Sequence, residues 1–181
     1  IYYLQLYYPE AKVFLLGNSL LLEEFLQAGM SLEEESPDIV VTAFDTSLDY
    51  KKMCKVCDYV RAGLPYVATH PDYNCPTETG FIPDAGAIHE FIHASAFRYP
   101  DRIIGKPNAD IIDYLTSRVS ANRDEIAMVG DRLYTDIAAG RQNGLKSILV
   151  LSGEATMDDV RKSDVLPHMI FDSVKEMTAL L

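Results

Sequence analysis

The chain has 181 residues, 48% of them apolar and 24% charged, with a formal net charge of −11; such a make-up suits a globular protein with one well-buried core or two small lobes. Its acidity repels nucleic acid and anionic lipid, no apolar run approaches the ~18 residues of a membrane span, and no signal-peptide pattern opens it, so neither nucleic acid nor membrane is an expected partner. Three cysteines make no disulfide framework, and a reducing cytoplasm is the expected compartment.

The chain opens Ile1-Tyr2-Tyr3-Leu4 without methionine and already inside an apolar pattern, so its natural beginning is expected further upstream. Residues 1–7 read as a helix end and residues 12–16 as a buried strand stopped by Gly17. Asn18 or Ser19 caps a helix over 20–28 closed by Gly29. Glu33-Glu34-Glu35 reads as a solvated turn or helix end. A strand over 39–44 follows Pro37-Asp38, Asp49 caps a helix over 50–62 ended by Gly63, and 66–69 is a third strand. Residues 70–84, rich in Pro, Asn, Gly and Thr, read as a long loop of the functional or mobile kind. Thereafter the expected order is helix 85–95, strand 102–104, helix 109–119, strand 126–129, helix 136–143, strand 147–151, short helix 157–162, strand 168–171 and helix 174–181. This alternation argues an α/β fold whose mostly parallel sheet is covered by helices. The chain divides softly near Tyr99-Pro100, with an α/β lobe on each side.

The most informative stretch is Gly130-Asp131-Arg132-Leu133-Tyr134-Thr135-Asp136, after the strand Ile126 to Val129 and downstream of Gly105-Lys106-Pro107. It sets two carboxylates and a lysine at strand ends, where open α/β sheets carry their chemistry. Mg²⁺ takes hard oxygen ligands and only one or two protein carboxylates, so Asp131 is the candidate ligand. Asp136, favoured at a helix start by the helix dipole, is the candidate to orient a metal-bound water or share the metal. Lys106 offers a point charge for a phosphate oxygen and for crowded carboxylates. Each residue alone reads as turn chemistry; their joint occurrence at successive strand ends carries the argument.

Gly105-Lys106-Pro107-Asn108, with Met128-Val129-Gly130-Asp131 and Asp136-Ile137-Ala138-Ala139-Gly140, resembles motifs III and IV of the haloacid dehalogenase-like (HAD) phosphatases. The subclass it resembles is IIA, the NagD and p-nitrophenyl phosphatase type. Leu149 to Gly153, Thr69 to Asp72 and Gly80 to Gly86 are similar to that family too. The resemblance implies a Rossmann-like core with an inserted α/β cap: residues 1–8 a linker helix, 9–98 the cap and 99–181 the C-terminal half of the core. It implies a Mg²⁺-dependent phosphatase acting on a small phosphorylated metabolite through an aspartyl-phosphate, with self-association through the cap as an expectation. By position Lys106 is similar to the family's motif III lysine, Asp131 to its magnesium ligand and Asp136 to its supporting acid. Asp72, Thr77, Thr79 and Asp84 fall on what resembles the cap's substrate loop. Three departures stand out, one of them the absence of the family's motif II Ser/Thr strand, which binds phosphate before the cap. No two aspartates are separated by a single residue, so the family's Asp-x-Asp nucleophile motif is absent; His70 stands where asparagine is more usual. These residues by themselves are therefore expected to be inactive, and a truncated or degenerate non-catalytic member is the competing reading.

Two further patterns compete. His89-Glu90-Phe91-Ile92-His93 matches the H-E-x-x-H helix of zinc hydrolases, yet no third ligand stands nearby in sequence. Cys54-Lys55-Val56-Cys57 falls inside one helix, where two packed cysteines are the expected reading rather than a redox pair.

Overall fold

The computed structural model describes residues 1–179, and its chain divides into two units, Ile1–Gly105 and Lys106–Leu181. The division expected from sequence lay near Tyr99 and Pro100. The first unit runs α1 (Tyr2–Tyr7), β1 (Lys12–Leu16), α2 (Ser19–Gln27), β2 (Ser31–Leu32), β3 (Ile39–Thr42), α3 (Tyr50–Arg61), β4 (Tyr66–Ala68), β5 (Asn74–Thr77), β6 (Gly80–Pro83), α4 (Ala85–Ala96) and β7 (Arg102–Ile103).

Five of these strands form one sheet in the order β2-β1-β3-β4-β7, every pair parallel. Buried apolar runs dictate this, because a central parallel strand must be apolar on both faces. Along β3, Val40 packs with Phe14, Tyr66 and the α3 and α4 residues Val56, Val60, Ile88 and Ile92. Its neighbours Ile39 and Val41 point the other way, to Leu4, Val13 and Phe25. The helices start where their caps demand: Asn18 Oδ1 accepts from the Leu21 amide and Asp49 Oδ1 from the Lys52 amide. Gly29 and Gly63 then turn the chain out of α2 and α3 with φ of +77° and +90°.

The second unit runs α5 (Ala109–Thr116), a 3-10 turn (Arg123–Glu125), β8 (Ala127–Gly130), a π-helical turn (Leu133–Ile137), α6 (Ala138–Gln142), β9 (Lys146–Val150), α7 (Met157–Lys162), β10 (Met169–Phe171) and α8 (Val174–Thr178). Its sheet, β10-β9-β8, is again parallel. Leu133, Ile137, Leu149, Ala155 and Val160 pack on one side of it, and Ile112, Ala139 and Leu145 form a second cluster.

Several expectations are corrected. Residues 70–84 are not structureless: β5 and β6 pair antiparallel as a hairpin. It was hidden because Pro76 and Pro83 argue against strand, whereas an isolated two-stranded ribbon leaves their missing donors on an open edge. The helix expected over 109–119 stops at Thr116, and the one expected from Asp136 begins at Leu133 as a π-helical turn. Cys57 is buried but Cys54 is exposed, so only one of that pair is packed. The expected helix over 174–181 is described through Thr178; residues 180 and 181 lie outside the described part. Among the described residues no helix is long and apolar enough to cross a membrane.

Candidate active site

Strand β8 ends at Gly130, and the chain turns there with both the Asp136 and Ile137 amides donating to the Arg132 carbonyl at 3.1 Å. The Ile137 bond, reaching back five residues, makes the turn π-helical, and the two bonds together draw Asp136 back over the strand end. Its side chain is buried, 6% exposed. Lys106 Nζ donates to Asp136 Oδ1 at 2.5 Å, and the Arg132 amide donates to Oδ2 at 3.2 Å. Only glycine fits beneath: a Cβ on Gly130 would stand 2.3 Å from Asp136 Cβ and Cγ. The segment that delivers Lys106 is tied down by Asn143 Nδ2, which donates to the Pro107 carbonyl at 3.0 Å.

Asp131 is half-buried at the same strand end. The Glu154 amide donates to its Oδ2 at 2.8 Å, and the Ala155 amide to its carbonyl at 3.0 Å. Gly153 makes room for it, since a Cβ there would lie 2.0 Å from Asp131 Oδ2. Arg132 Nε and Glu154 Oε2, 2.7 Å apart, join the two loops beyond β8 and β9. Sequence reasoning assigned no role to Arg132, Gly153 or Glu154. No local signal marks them, because their partners lie on the neighbouring strand end.

The geometry distributes two tasks. Asp136 is committed through both oxygens to Lys106 and to backbone. Asp131 gives one oxygen to one amide, and a carboxylate offers about four lone-pair sites, so it keeps hard-donor capacity of the kind Mg²⁺ takes. Among the described residues no three His, Cys, Asp or Glu side chains gather as a metal cage. One half-exposed carboxylate beside a loop fits Mg²⁺, which binds few protein ligands and keeps its waters, and does not fit a closed zinc site.

The remaining predicted site residues lie in the first unit. Asp84 is buried and caps α4: its Oδ1 accepts from the Ala85 amide at 2.6 Å and from His70 Nε2 at 2.7 Å. His70 Nδ1 in turn lies 2.8 Å from Thr69 Oγ1. Asp84 is therefore an anchor at the base of the hairpin rather than a free acceptor. Asp72 holds the same base through its carbonyl, which accepts from the Gly86 amide at 2.8 Å. Thr77 Oγ1 donates to the Gly80 carbonyl within the hairpin turn, and Thr79 is exposed at the tip.

The H-E-x-x-H histidines do separate work. His89 is buried, with Nε2 3.0 Å from Thr42 Oγ1, and burial pushes its pKa down to about 4. His93 stacks on Tyr99 with centroids 3.9 Å apart. Glu90 accepts from Tyr73 and Tyr99 hydroxyls. Each group has a structural duty within α4 and its neighbours, and none gathers with a third ligand.

A HAD-hydrolase-like family model matches residues 103–177. The ribonucleotide monophosphatase NagD of Escherichia coli K12 is 34% identical over 93% of this chain and 66% of its own length. An acid sugar phosphatase of Staphylococcus aureus is 34% identical over 96% of this chain and 67% of its own. Among solved structures, 4-nitrophenylphosphatase of Thermotoga maritima matches with a TM-score of 0.94 and 40% identity, over 98% of this chain and 68% of that one. The chain thus spans about two thirds of the length of the relatives it matches.

Proposed function

This chain belongs to the HAD-like hydrolases of subfamily IIA, the NagD and 4-nitrophenylphosphatase type, and on that premise we propose that it forms the metal- and charge-supplying part of a Mg²⁺-dependent phosphatase for small phosphorylated metabolites. The observation that carries the proposal is the Lys106–Asp136 pair at the strand end that also bears Asp131. Asp131 is the residue that would hold Mg²⁺, which when bound supplies a Lewis acid for a phosphoryl oxygen. Asp136 keeps the Lys106 ammonium in place, so that its charge is available to offset a transferring phosphoryl group without reorganisation. Arg132 and Glu154 fix the loop that presents the Asp131 carboxylate. The nucleophile is assigned to the family's Asp-x-Asp, a pattern these residues do not contain. Asp72, Thr77 and Thr79 are assigned to substrate choice, and a cytoplasmic location belongs to the same proposal.

Phosphate release from a panel of phosphate monoesters, with and without Mg²⁺, tests this on the chain joined to a relative's Asp-x-Asp segment. The expected result is Mg²⁺-dependent release that disappears on Asp131→Ala and falls sharply on Lys106→Met. Release from no ester, or release indifferent to both substitutions, would favour the non-catalytic reading.

A further inference from the structure

At the amino-terminal edge of the second sheet, away from Asp131, a cluster of cationic groups has no use in the proposed chemistry. β9 begins at Lys146, opposite Ala127 of the parallel strand β8, so this edge is the far end from Gly130 and Asp131. The next residue, Ser147, is fully buried. Its neighbour across the helix layer is Gly140, where a Cβ would come within 2.9 Å of Ser147 Cβ. That close approach of α6 brings the following residue, Arg141, onto His168, just before β10, with Nη1 2.8 Å from His168 Nε2.

The tautomer of His168 decides what this contact is. The Ser147 amide lies 2.9 Å from His168 Nδ1 and takes it as acceptor. A backbone N–H can only donate, and a buried one needs its acceptor. Nδ1 therefore carries the lone pair, with Ser147 Oγ also 2.9 Å away as a second donor. Nε2 then carries the proton. A guanidinium can only donate as well, so Arg141 and His168 face each other donor to donor. The reverse tautomer would set an N–H against the buried Ser147 amide. Two donors cannot bond each other, so the exposed guanidinium and the ring N–H are satisfied by turning to a third group, and the acceptor that suits two adjacent N–H donors next to a lysine is an anionic oxygen. No carboxylate is bonded to Arg141, Lys146 or His168 among the described residues, in a chain of net charge −11. The cations also leave a trace on the imidazole: loss of hydration, then the Arg141 and Lys146 charges, hold His168 below the usual histidine pKa.

We infer that Arg141, Lys146 and His168 Nε2–H form a second anion site, one that takes a phosphate group at the opposite sheet edge from Lys106 and Asp131. Inorganic phosphate and a phosphate monoester present the same oxygens to it. Arg141 and His168 each donate to one oxygen, and Lys146 contributes charge. Occupation draws α6, the start of β9 and the residue before β10 together through one ligand.

The test is an NMR titration of the His168 ring nitrogens in the whole chain. Inorganic phosphate and glycerol phosphate are added separately at constant ionic strength. In the free protein the ring is expected as the Nε2–H tautomer. Phosphate is expected to shift Nε2 saturably, with an affinity at least about tenfold weaker in Arg141→Gln and a smaller loss in Lys146→Gln. Both positions are exposed, so the two variants are independent checks on a folded chain, and Lys106→Met is expected to leave the titration unchanged. Saturation by both ligands assigns the phosphate group itself, and saturation by the monoester alone assigns an organic phosphate. A ring in the Nδ1–H tautomer, saturation by neither ligand, or equal affinity in Arg141→Gln overturns the site.

Discussion

Lys106 and Asp136, thirty residues apart in sequence, meet at 2.5 Å, and the carboxylate is far more buried than the ammonium: 6% against 44% exposed. The pair is thus anchored from the acid's side. Asp136→Ala leaves the Arg132 amide and the Lys106 ammonium without their acceptor. Because Lys106 reaches solvent, the expected loss is about 1–3 kcal/mol rather than that of a wholly buried ion pair. Urea unfolding of the variant measures it; an unchanged midpoint would mean that the turn holds without its carboxylate.

Gly153→Ala drives a methyl group into Asp131 Oδ2. The expected outcome is a metal affinity at least about tenfold weaker, with an overpacking loss of roughly 1–3 kcal/mol. Mn²⁺ titration followed by water-proton relaxation reads the first and thermal unfolding the second. Gly130→Ala, which strikes Asp136 instead, is expected to lose stability while sparing more of the metal affinity.

His89 makes stability depend on pH. Burial, and then the nearby His70 charge, lower its pKa from an ordinary 6.5 to about 4 in the folded chain. The unfolded chain therefore takes up a proton first as pH falls. Stability from this group is whole above about pH 6.5 and is lost progressively down to about pH 4, to the extent of up to about 3 kcal/mol. His89→Gln is expected to flatten the urea midpoint against pH in that window. A slope identical to the parent's would assign the effect to other groups.

Asp84→Ala removes both the cap of α4 and the partner of His70. A loss of about 1–2 kcal/mol is expected from the cap. Faster amide exchange across residues 74–83 is expected with it, because the hairpin base loses its tie. Exchange unchanged there would show that the Asp84 and Gly86 backbone bonds suffice.

Much of this fold was legible because apolar runs and helix caps are local signals. Lys12 to Leu16, the Asp49 cap and the glycines closing α2 and α3 all stand where the pattern puts them. The strand ends bearing Asp131 and Lys106 were legible for the same reason, and the family resemblance gave the two residues their roles. What escaped was non-local or locally contradictory. Gly153 and Glu154 matter only because β9 lies beside β8. The proline-bearing strands of the hairpin are tolerated only because nothing pairs outside them. The resemblance put Asp84 on a substrate loop, and only the fold reveals that His70 reaches back to it across the hairpin.

That hairpin has a consequence of its own. Residues 80–83 are all exposed, and β5 and β6 pair only with each other, while its base is fastened by Asp72, Asp84 and Gly86. Sequence at its tip can therefore drift, lengthen or be swapped with little disturbance to the packed sheet beneath. An exposed tip free to vary thus stands on a base held by its own backbone bonds.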